Sequence, residues 1–128
     1  MVVLDTNIII EHLRLAKTKK SNLIKIVERK PKEVLALSII SIQELYEGRS
    51  TRNKRKEEFL LATIAPLKIL PYTYEIAQLA GEIARDLNRP IELADAAIAA
   101  TTILNGAQLL TLNKKDFLGI ERLEILAI

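Results

Sequence analysis

The opening stretch Met1-Val2-Val3-Leu4-Asp5-Thr6-Asn7-Ile8-Ile9-Ile10 sets the reading of the whole chain. Val2-Val3-Leu4 is a short apolar run, which predicts a strand buried on both faces. Asp5, Thr6 and Asn7 are helix-starting residues, and Ile8 to Leu15 then reads as helical. A buried strand that passes through a carboxylate into a helix is the beginning of an alternating α/β chain.

The rest of the sequence keeps that alternation. Further strands are predicted at Val34–Leu37, Leu67–Leu70, Gln108–Leu112 and Leu123–Leu126. Between them, a basic helix-like stretch runs to Lys30 and stops at Pro31. Ser38 to Gly48 reads as a helix with glycine at its end. A charged segment from Arg49 to Glu58 leads into another helix, ended by Pro66. Tyr72 to Leu87 is amphipathic, with Ile76, Leu79, Ala80, Ile83 and Leu87 on one stripe that reads as core. Glu92 to Leu104 is apolar nearly all round and should be buried, and Lys114 to Leu118 is a short turn. The expected fold is α/β: one domain over residues 1–128, a three-layer sandwich with a central parallel sheet of four to five strands flanked by helices. In such sheets ligands bind beyond the carboxyl ends of the strands.

Composition narrows the chemistry available at that edge. The 128 residues include 21 Leu and 18 Ile, but only three Tyr, two Phe and no Trp, too few aromatics for a base-stacking platform. The absence of Cys removes disulfides, Cys–zinc sites and thiol nucleophiles. His12 is the only histidine, so catalysis must run mostly on carboxylates; it reads as an ordinary surface or edge residue. No targeting segment is visible, and the uncharged run Ala96 to Asn113 is broken by Asn105-Gly106, so the expected setting is the cytoplasm with no membrane contact. The formal charge of +3 conceals an asymmetry, because residues 11–58 hold 13 basic and seven acidic side chains. Lys17, Lys19, Lys20 and Lys25 form one basic cluster; Arg49, Arg52, Lys54, Arg55 and Lys56 form another. Such runs serve as solvated faces or as contacts to a phosphate backbone.

Several polar residues fall at the expected ligand edge, each with two readings. Asp5 follows the first strand, as a helix cap or as a ligand. Glu44 completes a capping box with Ser41, unless Ser38 is the cap, in which case it lies two turns in and is free for chemistry. Asp95 stands among Leu93, Ala94, Ala96, Ala97 and Ile98, either as an acid favoured in a first turn or as a buried charge needing a partner. Asn113 and Asp116 follow the fourth strand, where turn chemistry also explains them. One parallel sheet would nevertheless bring these carboxylates to one edge, where a divalent cation relieves their repulsion. Mg²⁺ takes hard oxygen ligands and needs neither His nor Cys.

Four blocks carry a resemblance to a known family: Leu4-Asp5-Thr6-Asn7, Ser38 to Gly48, Ala94-Asp95-Ala96-Ala97-Ile98-Ala99-Ala100-Thr101, and Leu110-Thr111-Leu112-Asn113-Lys114-Lys115-Asp116-Phe117. In this order and spacing the chain resembles the PIN-domain family, specifically the VapC-like ribonuclease toxins. The resemblance implies an endoribonuclease dependent on Mg²⁺ or Mn²⁺, with Asp5 and Asp95 as metal-binding acids, Glu44 as a third acid, and Thr6 and Asn7 orienting the first. The family's fourth position, often Asp, falls here on Asn113, with Asp116 the nearest acid able to compensate. It also implies an RNA substrate, a homodimer, and a cognate antitoxin covering the acidic pocket. The alternative is a catalytically silent PIN-like module that binds RNA or protein. A phosphatase reading fails where such enzymes need a second Asp two residues after the first, because Asn7 stands there.

Overall fold

The computed structural model describes residues 1–15 and 17–128. Five parallel strands form one sheet in the order β3-β2-β1-β4-β5: β1 (Val2–Leu4), β2 (Leu35–Ser38), β3 (Lys68–Leu70), β4 (Gln108–Leu110) and β5 (Glu124–Ile125). The helices are α1 (Thr6–Leu15), α2 (Asn22–Arg29), α3 (Ile39–Glu47), α4 (Lys54–Ile64), α5 (Tyr74–Asp86) and α6 (Leu93–Leu104).

Alternation along each strand divides the core between the two faces of the sheet. Val2 and Leu4 point to one face and pack with Leu37 and Leu110 against Ile8, Ile9, Ile26, Leu45 and Leu60 of α1 to α4. Val3 points to the other, with Ala36 and Leu109, against Ile98 and Ala99 of α6 and against Phe117. The expected stripe on α5 is core: Ile76 and Ala80 meet Ala96 and Ala100 of α6, where small side chains let the two helices approach closely. The predicted three layers are therefore present, and all five strands with them.

Two segments depart from expectation. The basic stretch before Pro31 is not one helix: residues 17–19 form a turn in which Thr18 Oγ1 donates to the Leu15 carbonyl, and α2 starts behind Ser21. Ala16, within that stretch, lies outside the described residues. The charged segment 49–58 is not merely a lead-in, because Arg49–Arg52 is a 3₁₀ turn and α4 already begins at Lys54. Asn53 supplies the missing start signal, its side chain accepting from the Lys56 N–H at 3.1 Å. His12 is half-buried and ties α1 to α2, its Nδ1 lying 2.7 Å from the Ser21 hydroxyl. Burial lowers its pKa. Among the described residues no helix is long and apolar enough to cross a membrane.

The strand order fixes where a ligand can sit. From β1 the chain moves outward through β2 to β3, then returns to lay β4 on the other side of β1. The switch point lies between the carboxyl ends of β1 and β4, where such sheets open a crevice. Leu4 pairs in register with Leu37 and Leu110, so Asp5, Ser38 and Thr111 come next along the same edge.

Candidate active site

Asp5 occupies the switch point. Its side chain is only 5% exposed. Oδ1 accepts the Thr6 amide at 2.8 Å, and Oδ2 accepts the Thr111 hydroxyl at 2.7 Å. It therefore takes one amide at the start of α1, as the cap reading expects in part, and reaches across to the end of β4. Burial pushes its pKa up, the two hydrogen bonds pull against that, and the nearby charges of Glu44 and Asp116 add to the rise.

Ser38 is the cap of α3, its Oγ accepting from the Ile40 N–H at 3.1 Å. The capping-box reading of Ser41 and Glu44 is therefore excluded, and Glu44 lies nearly two turns into the helix. Thr6 Oγ1 is 2.7 Å from Ser41 Oγ and 2.6 Å from Glu44 Oε1. Having one hydroxyl proton, Thr6 gives it to the carboxylate, which can only accept, and takes the proton of Ser41. The relay from Ser41 through Thr6 holds one oxygen of Glu44 and leaves the other free.

Asp95 lies in the first turn of α6, where Glu92 is the cap residue without a side-chain cap bond. It is half-buried and has no hydrogen bond or ion pair among the described residues. Burial pushes its pKa up to about 6, and the negative charges of Asp5, Asp116, Glu44 and Glu92 contribute. A carboxylate so placed is an unmet demand for positive charge. The linked stability effect has a definite sign. Because the folded pKa lies above the ordinary 3.8, the protonated acid favours folding below pH ~4, and this contribution is lost as pH rises through about 6. Asp95→Asn is accordingly expected to melt higher than the wild type at pH 7 without added cations. The gain is about 1 kcal/mol, or ~3–5 °C, after discounting the shift for solvent contact. It should vanish near pH 4; equal melting temperatures at both pH values would overturn the electrostatic account.

After β4 the chain enters a 3₁₀ turn, Lys114–Phe117, whose Phe117 is buried against the sheet. Asn113 is exposed, its amide N–H donates to Thr111 Oγ1 at 3.0 Å, and its side chain makes no hydrogen bond among the described residues. Asp5 and Asp95 both feel the negative charge of Asp116. Asp95 and Asp116 line a cavity of about 310 Å³ together with Arg89 and Glu92. Glu44 opens instead onto a groove of about 510 Å³ between α1, α3 and α4, with Leu13, Leu45 and Phe59 in its wall and Arg14, Arg49 and Lys56 along it. Asp5 lines neither. Among the described residues no three carboxylate or imidazole groups are arranged to ligate one ion. The donor set suits a hard cation held directly by one or two carboxylates, with water completing its shell.

Three contributors escape a reading of the sequence alone. Ser41 presents itself only as a cap, Thr111 only as a residue within the strand expected over Gln108–Leu112, and Arg89 lies in a loop with no motif. The signal available for Thr111 is a hydroxyl one residue past a buried parallel strand, on the edge where ligands bind.

Known proteins resemble this chain in sequence and fold. The PIN domain model matches residues 2–123. Ribonuclease VapC10 of Mycobacterium tuberculosis is 34% identical over 127 residues, covering 97% of this chain and 91% of the relative. Ribonuclease VapC1 of Rickettsia felis is 38% identical over 100 residues, covering 72% and 75%. Among solved structures, VapBC2 of Rickettsia felis bound to a DNA fragment from its promoter superposes with a TM-score of 0.85 at 25% identity, covering 98% of both chains. DNA-bound VapBC of Salmonella typhimurium gives 0.83 at 25% identity, covering 98% of this chain and 96% of the other. With the parallel sheet, the switch-point carboxylate and these matches in agreement, the chain belongs to the PIN-domain family and is VapC-like.

Proposed function

We propose that this protein is a divalent-cation-dependent endoribonuclease that acts as the toxin of a toxin–antitoxin pair. The observation that carries the reading is Asp95, half-buried, without a hydrogen bond or ion pair among the described residues, and subject to the negative charges of Asp5, Glu44 and Asp116 near the switch point of the sheet. The ribonuclease names of its relatives and the VapBC complexes among its structural neighbours support it.

Asp5 and Asp95 are the residues that would hold Mg²⁺ or Mn²⁺. Such an ion polarises a phosphoryl oxygen and lowers the pKa of bound water. The chain's own groups do the rest. Thr111 and the Thr6 amide fix both oxygens of Asp5. Glu44, with Oε1 held by Thr6, has Oε2 free to accept a proton from a water aligned against the phosphodiester. Asn113, at the family's fourth position, offers an amide to a phosphate oxygen or a water but adds no charge. RNA must approach this acidic pocket against repulsion, and Arg49, Arg52, Lys54, Arg55 and Lys56 supply the opposing field. If about four phosphates are contacted, RNA affinity should fall roughly fifty-fold between 50 and 200 mM salt. A flat salt dependence, measured by fluorescence anisotropy, would remove that basic segment from the RNA path.

The groove beside Glu44 suits an amphipathic segment of an antitoxin: its wall is apolar, and a basic side chain laid along it reaches the carboxylate. Ile69, Tyr72 and Tyr74, exposed on and just after edge strand β3, support a homodimer. The cytoplasm, where RNA is at hand, is the setting this reading implies. The direct test is cleavage of RNA by the purified protein, abolished by EDTA and restored by Mg²⁺ or Mn²⁺. RNA binding with no cleavage under any divalent cation would favour the silent module.

A further inference from the structure

The cavity shared by Asp95 and Asp116 contains a cation that neither the acid cluster nor the RNA-facing segment accounts for. Arg89 is the only cationic side chain among the described residues that line it. With Glu92, Asp95 and Asp116 around the same cavity, a guanidinium would be expected to form an ion pair, yet among the described residues Arg89 makes none. Its Nη2 donates to two backbone carbonyls, Asp116 O at 3.0 Å and Leu118 O at 2.8 Å, and Nη1 donates to Pro90 O at 3.4 Å. Two of these acceptors flank Phe117, and the third belongs to Arg89's own loop. The guanidinium thus fastens the loop before α6, which leads to Asp95, to the 3₁₀ turn that carries Asp116.

Among the described residues the rest of that turn is held by one buried ring and a few backbone hydrogen bonds. Phe117 anchors it from below by burial. At its start, the Asp116 N–H donates to the Asn113 carbonyl at 3.0 Å, and the Asn113 N–H to Thr111 at 3.0 Å. Toward its end, the Leu118 N–H reaches the Lys115 carbonyl only at 3.5 Å. Without the guanidinium, Asp116 would be free to turn away from Asp95, as two like charges in one cavity favour. Arg89 opposes that separation through the backbone and spends none of its charge on either carboxylate.

The geometry points to Arg89 as a positioning residue that keeps Asp116 within reach of the Asp5–Asp95 cation site. This rests on the metal-dependent reading above. The guanidinium reaches three carbonyls from two nitrogens fixed in one plane; lysine carries a single donor nitrogen on a flexible stem and cannot span all three.

The test is calorimetric titration of the full chain with Mn²⁺, alongside melting temperatures, for the wild type, Arg89→Ala, Arg89→Lys, Asp116→Asn and the Arg89→Ala/Asp116→Asn pair. Loss of an outer-shell orienting partner weakens metal binding about tenfold, and that is the effect expected for Arg89→Ala and Arg89→Lys alike, with melting temperatures close to the wild type. The double variant should bind no more weakly than Asp116→Asn alone, since Arg89 acts through that carboxylate. Wild-type affinity in Arg89→Ala, rescue by Arg89→Lys, or additive losses in the double variant would each overturn the assignment while leaving the nuclease reading intact. A wild-type protein that neither binds Mn²⁺ nor cleaves RNA would overturn both.

Discussion

Asp5→Asn is expected to lower RNA cleavage by at least about a hundredfold while leaving the fold unchanged. Asparagine has the same shape, and its oxygen still accepts the Thr6 amide in place of Oδ1. Its NH₂ meets the Thr111 hydroxyl, which can rotate from donating to accepting. What disappears is a buried negative charge at the switch point, the position from which a cation would be held. Removing one preorganised electrostatic contributor typically costs ~10²–10³ in rate. Since that charge also repels Glu44 and Asp116, the variant should melt no lower than the wild type at pH 7. The measurement is single-turnover cleavage with Mg²⁺ beside a thermal melt. Undiminished cleavage by a folded variant sinks the assignment of Asp5, and with it the reading built on the carboxyl edge.

The second large effect concerns stability. Phe117→Ala should cost ~3–5 kcal/mol, the range for deleting a fully buried aromatic side chain. The ring is 2% exposed and packs with Val3, Ala36, Ile98 and Leu109 against the sheet face covered by α6. Few other aromatic side chains contribute to this core, so no large neighbour is at hand to fill the void. With total stabilities typically ~5–15 kcal/mol, the variant should unfold at much lower denaturant concentration. A loss under about 1 kcal/mol in urea would mean that the turn is held without its anchor. The same ring sits one residue after Asp116, so packing under the sheet and charge placement above it are joined in one short turn.

Much of this was legible in the sequence because the central strands β1, β2 and β4 are largely buried and therefore appear as short apolar runs. Val2–Leu4 and the helix from Leu93 could be read almost to the residue. The segment 49–58 could not, since a helix made of Lys, Arg and Glu has no apolar period at its start, and its one signal, the Asn53 cap, is a single side chain. At the site, Asp5 and Asp95 were visible because polar residues interrupt apolar surroundings. Glu44 was ambiguous, because two serines three residues apart both resemble caps and only the end of β2 at Ser38 decides between them. Asp116 and Asn113 are three residues apart in one turn, and which of them faces the acids depends on where Phe117 buries. Arg89 was invisible, because its partners lie 27 and 29 residues ahead and are carbonyls, a group that every residue carries.

The parallel run of all five strands also decides where foreign chain can be attached. A segment appended after β5 leaves the sheet at the edge that bears Asp5, two strands or about 10 Å across. A segment placed before β1 leaves at the opposite edge, where it replaces the contact of the terminal ammonium with Glu33 at 3.4 Å, a surface pair of little weight. A C-terminal affinity tag or fusion partner would therefore emerge at the edge that carries the proposed site. Handles for purification or immobilisation belong in front of Met1.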